Sequence, residues 1–184
     1  MSEVIEQCKR WVEQVVIGHN FCPFAEQEFV KGRVRFVLSE ATAFEDGLHA
    51  LIKECERLDD CSDVETTLIV FSELLMDFDD FLDFVDMSNE LMKMQGYEGV
   101  FQLANFHPDY CFEGEEKNDA ANYTNRSPYP MLHLIRELSL EKAVKNHPSP
   151  DLIPENNVNL AREKGCQYFE DILHDIKKDK VNVL

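Results

Sequence analysis

The sequence is poor in basic residues. Its 36 aspartates and glutamates face only 18 lysines and arginines, which gives a formal net charge of -18. Proteins that bind nucleic acids hold phosphates with clustered lysine and arginine, and an acidic excess repels a polyanion. An anionic membrane surface is disfavoured for the same reason. We therefore expect neither a nucleic acid nor a membrane as partner.

Long apolar runs are also lacking. No stretch approaches the roughly 18 apolar residues that a membrane span needs. The first residues, Met-Ser-Glu-Val, are acidic where a signal peptide is basic. The cysteines lack the dense spacing of a secreted disulfide scaffold and predict free thiols. We expect a cytoplasmic protein. The six cysteines are Cys8, Cys22, Cys55, Cys61, Cys111 and Cys166.

What is present is enough apolar material for a packed core. Hydrophobic residues make up 44% of the 184 positions, with 13 phenylalanines among them. That length suits one domain better than two. We therefore predict a single globular domain over residues 1–184.

Apolar periodicity predicts strands that alternate with helices. This alternation indicates β-α-β units. The predicted fold is α/β (or α+β), with a small three-stranded or slightly larger mixed sheet flanked by about five helices. The predicted strands cover 34–38, 66–71 and 99–106. A short helical segment covers 23–32, and longer helices cover 3–17, 44–58, 77–95, 127–145 and 154–177.

Cys22 is the first candidate for chemistry. It precedes Pro23, which suits the first turn of a helix, so the thiol is placed at a helix N-terminus. The helix dipole and free N–H groups there stabilise a thiolate, which makes Cys22 a possible nucleophile. The alternative is an ordinary, unreactive capping residue.

His107 is the second candidate. Pro108 forces it toward an extended conformation at the end of the third predicted strand. Ligands of α/β proteins bind at the carboxyl ends of strands. We therefore expect His107 to act in acid/base catalysis, with Asp109 orienting its ring or capping a turn.

The stretch from Asn122 to Arg136 is the most informative. A polar run precedes a predicted helix start at Ser127, and such a combination binds anions well. On that helix His133 and Arg136, spaced i,i+3, would face one pocket, with His133 catalytic. The alternative is turn and cap chemistry with a satisfied histidine. The predicted substrate-binding residues are Asn122, Asn125, Arg126, Ser127 and Arg136.

Metal sites are a further alternative. Zinc takes mixed nitrogen and sulfur ligands, although no pair here is a recognised zinc signature. A calcium loop over 77–86 fails because it has no turn glycine and no closing glutamate. Its aspartates suit the solvated face of a helix. The candidate zinc ligands are His19, Cys22, His107, Cys111 and His133.

Four segments resemble a bacterial family of proteins of unknown function. They are Asn20-Phe-Cys-Pro-Phe-Ala, the acidic Phe-Asp-Asp-Phe-Leu-Asp-Phe run from Phe78, Phe106-His-Pro-Asp-Tyr, and Asn122-Tyr-Thr-Asn-Arg-Ser-Pro-Tyr-Pro-Met-Leu-His-Leu-Ile-Arg-Glu137. The resemblance covers nearly the whole chain. It implies no reaction, but it implies that the family's motifs include Cys22, His107, Asn125, Arg126, Ser127 and His133.

Together these patterns predict a small cytoplasmic enzyme that acts on an anionic small molecule, a carboxylate or a phosphate. The protein's acidity does not forbid this, because residues 38–98 hold 17 acidic and 3 basic side chains while the motif segments are nearly neutral. The alternatives are a non-catalytic zinc or ligand-binding module and a partner-binding protein that uses its acidic helix. The sequence does not identify a cofactor.

Overall fold

The structure is a computed structural model that describes residues 2–178, and within them the chain forms seven α-helices and four strands. The strands are β1 (Val34–Ser39), β2 (Thr66–Phe71), β3 (Phe101–Phe106) and β4 (Met131–Arg136). The helices are α1 (Glu3–Trp11), α2 (Ala25–Val30), α3 (Phe44–Asp60), α4 (Phe78–Met94), α5 (Glu137–Asn146), α6 (Ile153–Lys164) and α7 (Cys166–Lys178).

The strands form one mixed sheet in the order β1-β2-β4-β3. β1 and β2 are parallel, and β4 is antiparallel to both β2 and β3. Consequently β1, β2 and β3 run in the same direction, and their carboxyl ends lie at one edge of the sheet. We call this the carboxyl edge. The helices α3 and α4 are the crossovers that this arrangement requires.

Successive strand residues point to opposite faces, so the sheet separates two cores. On the crossover face, Ile69 and Leu134 pack with Leu51 of α3 and Phe84 of α4. On the terminal face, which the N- and C-terminal helices cover, other residues form the buried cluster. It includes Leu68, Val70, Met131, Trp11 and Phe169.

Most predicted elements are confirmed within a few residues. The prediction for β2 agrees at both ends, because an unbroken apolar run is typical of a strand buried on both faces. The helix α4 begins where expected, and the Asp77 carboxylate accepts hydrogen bonds from the N–H groups of Asp79 and Asp80. The coarse fold class, a mixed α/β protein, is confirmed.

The predicted helix over 127–145 is wrong in its first half. Met131–Arg136 forms β4, and the helix begins only at Glu137. A six-residue segment with four apolar residues fits a strand or a helix equally well, and pairing with β2 and β3 on both sides decides it. In a strand, residues three apart face opposite ways, so His133 and Arg136 do not share a face.

The terminal helices also differ from prediction. The predicted final helix is divided at Gly165, whose φ of +80° suits glycine, into α6 and α7. The first helix continues past Trp11 as a π-helical segment, Val12–Ile17. Of the helices described, none is both long and apolar enough to cross a membrane.

Candidate functional site

A long loop joins β3 to β4 over the carboxyl edge, and buried polar side chains organise it. Asn122 is fully buried. Its Oδ1 accepts a hydrogen bond from Phe112 N at 3.0 Å, and its Nδ2 donates to Glu116 O at 2.8 Å. A buried main-chain group without a partner is costly, so an irregular loop needs such side chains. Asn122 therefore closes the loop on itself.

Arg126 performs a similar task. Its Nε donates to Tyr110 O at 3.1 Å and its Nη2 to Lys117 O at 2.6 Å. The guanidinium lies 4.6 Å from the centre of the Tyr123 ring, within the range of a cation–π contact. Its main-chain carbonyl accepts a hydrogen bond from Trp11 Nε1 at 2.9 Å. Two of the donors that the sequence assigned to a ligand are thus used within the protein.

Asn125 and Ser127 also contact the main chain. Asn125 Nδ2 donates to Asn105 O at 3.2 Å, which joins the loop to β3. Ser127 Oγ donates to Tyr129 O at 2.6 Å. This contact matches the turn chemistry that was the alternative to ligand binding. Both side chains help to return the chain to the sheet.

His107 is fully buried on the crossover face and uses both ring nitrogens. Asp109 N donates to its Nδ1 at 3.0 Å, so its Nε2 carries the proton and donates to Leu75 O at 3.0 Å. Burial lowers the pKa of His107 below its usual value because it disfavours the imidazolium. Leu75 has a φ of +67°, which is rare for leucine. His107 thus holds the main chain in an unfavourable conformation.

Arg136 points to the crossover face and caps the end of α3. Its guanidinium donates to the carbonyls of Leu58, Cys61 at 2.8 Å and Val64 at 3.1 Å. A cation favours the negative end of a helix dipole, and the Leu58 carbonyl is among the last four of α3, which lack partners within the helix. Arg136 is therefore occupied by the main chain.

His133 differs from the other predicted residues. It lies on β4 between β2 and β3, opposite Leu68 and Ala104, yet it remains partly exposed on the terminal face. Its Nε2 is hydrogen-bonded to Thr66 Oγ1, which in turn donates to Leu134 O. Because the hydroxyl has one proton, the Nε2 of His133 must donate, and its Nδ1 is left as an acceptor. Burial lowers the pKa of His133 to about 4.

Cys22 packs against the buried cluster of the terminal face, whereas the His107 ring contacts Phe78 and Phe81 on the crossover face. The structure therefore does not bring Cys22 and His107 into one site. Burial raises the pKa of the Cys22 thiol, and this effect exceeds the opposing hydrogen bonds from the N–H groups of Phe24 and Ala25.

The five candidate zinc ligands do not converge. Residues 2–178 contain no group of three or more His, Cys, Asp and Glu residues that could hold a metal ion. His19 instead uses Nδ1 on Val15 O at 3.1 Å and Nε2 on the Tyr168 hydroxyl at 3.0 Å. The Cys111 thiol points to the carbonyl of Glu115. The described residues thus give the zinc alternative no ligand set.

The sequence does not predict two features of the structure. Thr66 fixes the His133 tautomer, but it belongs to a distant strand, so only the pairing of β2 with β4 reveals it. A small cavity of about 220 Å³ lies at the carboxyl ends of β1 and β2. Parallel strands ending together are the usual signal for such a pocket. Its lining includes Ser39, Glu40, Ser72 and Glu73.

Comparison with known proteins gives a family. A family model described as Protein of unknown function (DUF1415) matches residues 3–171. The chain belongs to this family. The resemblance drawn from the sequence is thereby confirmed, and it covers every predicted site residue. No curated protein and no solved structure matches the chain.

Proposed function

We propose that this protein is a small enzyme that acts on an anionic small molecule, a carboxylate or a phosphate, with His133 as its acid/base group. The observation that carries the proposal is the free Nδ1 of His133. No hydrogen bond to this atom occurs within the described residues, and the side chain is partly exposed. A neutral imidazole held in one tautomer is ready to accept a proton or a hydrogen bond.

Because the pKa of His133 is low, a bound anion can increase the basicity of its ring. With a pKa of about 4, the ring is neutral at pH 7 and is by itself a weak base. A nearby negative charge favours the imidazolium and raises the pKa. A bound carboxylate or phosphate would therefore make His133 a stronger base as it arrives. This coupling is the mechanism that we propose.

The other predicted groups take supporting roles in this proposal. Arg126, fixed by two carbonyls, adds positive charge to the loop beyond Trp11. Trp11 packs on Phe106 at 5.0 Å, and Phe106 lies 6.1 Å from the His133 ring. Arg126 and His133 are therefore linked through aromatic side chains rather than by direct contact. Cys22 stays a candidate nucleophile, on the same face of the sheet as His133.

The test is an NMR titration of the histidines with sodium phosphate and with sodium acetate. We expect either anion to raise the pKa of His133 by about one unit, which is about 1.4 kcal/mol of interaction. The exposed His49 and His174 are internal references that should not move. Ethanolamine, a cation of similar size, should leave His133 unchanged.

An unchanged His133 pKa in both anions would refute the proposed site. A second measurement separates an enzyme from a binding module. Phosphate monoesters and carboxylate esters are incubated with the protein and with His133→Gln, and products are followed by NMR. Turnover that His133→Gln abolishes supports the enzyme, and binding without turnover assigns the non-catalytic module.

A further inference from the structure

A second surface, independent of His133, lies beside the open edge of the sheet. β3 is an edge strand, and a groove of about 490 Å³ lies between it and the end of α4. An open edge presents N–H and C=O groups that can pair with another chain. The apolar part of the groove lining is Met92, Tyr97, Phe101 and Leu103.

The pairing of β3 with β4 shows which main-chain N–H and C=O groups of β3 face the open edge. Glu137 N donates to Val100 O at 3.0 Å, so Val100 pairs with the β4 side. In an antiparallel ladder, paired and outward-facing residues alternate. Gln102 and Ala104 therefore pair with β4, while Leu103 and Asn105 turn their main-chain groups to the open edge.

Main-chain groups near both ends of this edge have hydrogen-bond partners, whereas groups in its middle do not. Phe101 N donates to Tyr97 O at 3.2 Å, and Asn105 O accepts from the Asn125 side chain. Within residues 2–178, the N–H and C=O of Leu103 and the N–H of Asn105 have no hydrogen-bond partner across the edge. One added strand would supply hydrogen-bond partners for these main-chain groups.

Exposed apolar side chains continue the surface past the groove. Met94 is 78% exposed, Leu138 67% and Val100 39%. Val100 and Leu138 are neighbours because Glu137 N is bonded to Val100 O. Each of the three is next in sequence to a residue that lines the groove, and exposed apolar residues beside a groove are typical of a protein interaction site.

The charged side chains at the rim of the groove favour a basic partner. Glu90, Glu98 and Glu137 line the groove with a single cation, Lys93, whose Nζ lies 3.8 Å from a Glu98 carboxylate oxygen. A second copy of this chain would bring the same acidic rim and another net charge of -18. An extended segment with basic side chains meets no such repulsion.

We propose that β3 binds an extended, basic peptide segment of a partner protein by strand addition. The main chain of the segment pairs with Leu103 and Asn105. Its side chains on the groove face include apolar ones over Tyr97 and Met92, together with lysines or arginines that meet Glu90 and Glu98. This is the mode in which main-chain pairing gives affinity and the flanking groove gives specificity.

The experiment uses the full chain and the acetylated, amidated heptapeptide Lys-Thr-Val-Thr-Val-Thr-Lys, whose lysines and valines share one face of an extended strand. We measure amide hydrogen exchange by NMR with and without the peptide. The amides of Leu103 and Asn105 should exchange at least about five-fold more slowly in the complex, since both gain a partner. Gln102, already paired with β4, serves as the internal control.

Charge variants test the rim. Glu90→Lys with Glu98→Lys should weaken binding at least about five-fold, or about 1 kcal/mol. Glu13→Lys with Glu163→Lys, equally exposed but on other helices, should change it less than about two-fold. Both double variants alter the net charge equally, so a difference in their binding depends on where the changed charges lie.

Three results would overturn the proposal. The first is binding without slower exchange at Leu103. The second is insensitivity to charge, seen as equal binding of the same heptapeptide with glutamate in place of both lysines, or as equal weakening by both pairs of variants. The third is self-association of the free protein with Leu103 protected, which assigns this edge to a second copy of the chain.

Discussion

Replacing Arg136 separates a structural role from a ligand-binding role most sharply. The guanidinium donates to the carbonyls of Leu58, Cys61 and Val64, at and beyond the end of α3. Hydrogen bonds to charged groups contribute about 1.5–3 kcal/mol each. The three hydrogen bonds share one side chain, and water can replace part of them at this half-buried site. We therefore expect Arg136→Met to lower the free energy of unfolding by about 3 kcal/mol in all.

Arg136→Lys is the matched control. Lysine keeps the charge near the helix C-terminus, which is worth about 0.3–1 kcal/mol, but its ammonium cannot span three carbonyls as the planar guanidinium does. We expect a loss of about 2 kcal/mol for this variant. The order of stability should therefore be arginine, then lysine, then methionine.

Urea unfolding followed by circular dichroism measures both variants. With a slope near 2 kcal/mol per M, a loss of 3 kcal/mol moves the midpoint by about 1.5 M. A change below about 1 kcal/mol for Arg136→Met would refute the capping argument. Lost phosphate affinity with unchanged stability would instead favour the ligand role predicted from the sequence.

Three further predictions concern His133, His107 and Gly47. His133 has a folded pKa of about 4, below its usual 6.5, so the stability it contributes is complete above pH 6.5 and is lost as pH falls toward 4. The loss should be about 3 kcal/mol, and His133→Gln should remove it from urea midpoints measured across that range. His107→Phe leaves the Leu75 carbonyl unpaired and should cost about 2–4 kcal/mol by the same assay, whereas a near-neutral result would contradict its role in holding Leu75. Gly47→Ala brings a methyl carbon 2.9 Å from the Phe84 ring and should cost about 1–3 kcal/mol, with a smaller cost when Phe84→Leu makes room.

The fold could largely be predicted because most elements have a strong local signal. Asp77 caps α4, and the continuous apolar run of β2 is bounded on both sides. β4 could not be predicted because its apolar run is short and follows two prolines. Its identity as a strand depends on β2 and β3, which lie far away in the sequence.

The candidate site was harder to predict because polar residues near a loop have two possible uses. The sequence pattern predicts that Asn122 and Arg126 bind an anion, yet in the structure they donate to main-chain carbonyls of the same loop. The sequence shows the donors but does not show which carbonyls the folded loop leaves without partners. The position of His107 at a strand end likewise predicts catalysis, because the sequence does not show that the Leu75 carbonyl needs a donor.

Motif residues of this kind mislead an alanine scan. Loss of Asn122, Arg126 or His107 would lower any activity, because each holds a segment of main chain at the carboxyl edge. His133 has a free nitrogen, so its conservative replacement should affect a ligand more than stability. The ratio of lost affinity to lost stability, rather than lost activity alone, therefore identifies the residues that contact the ligand.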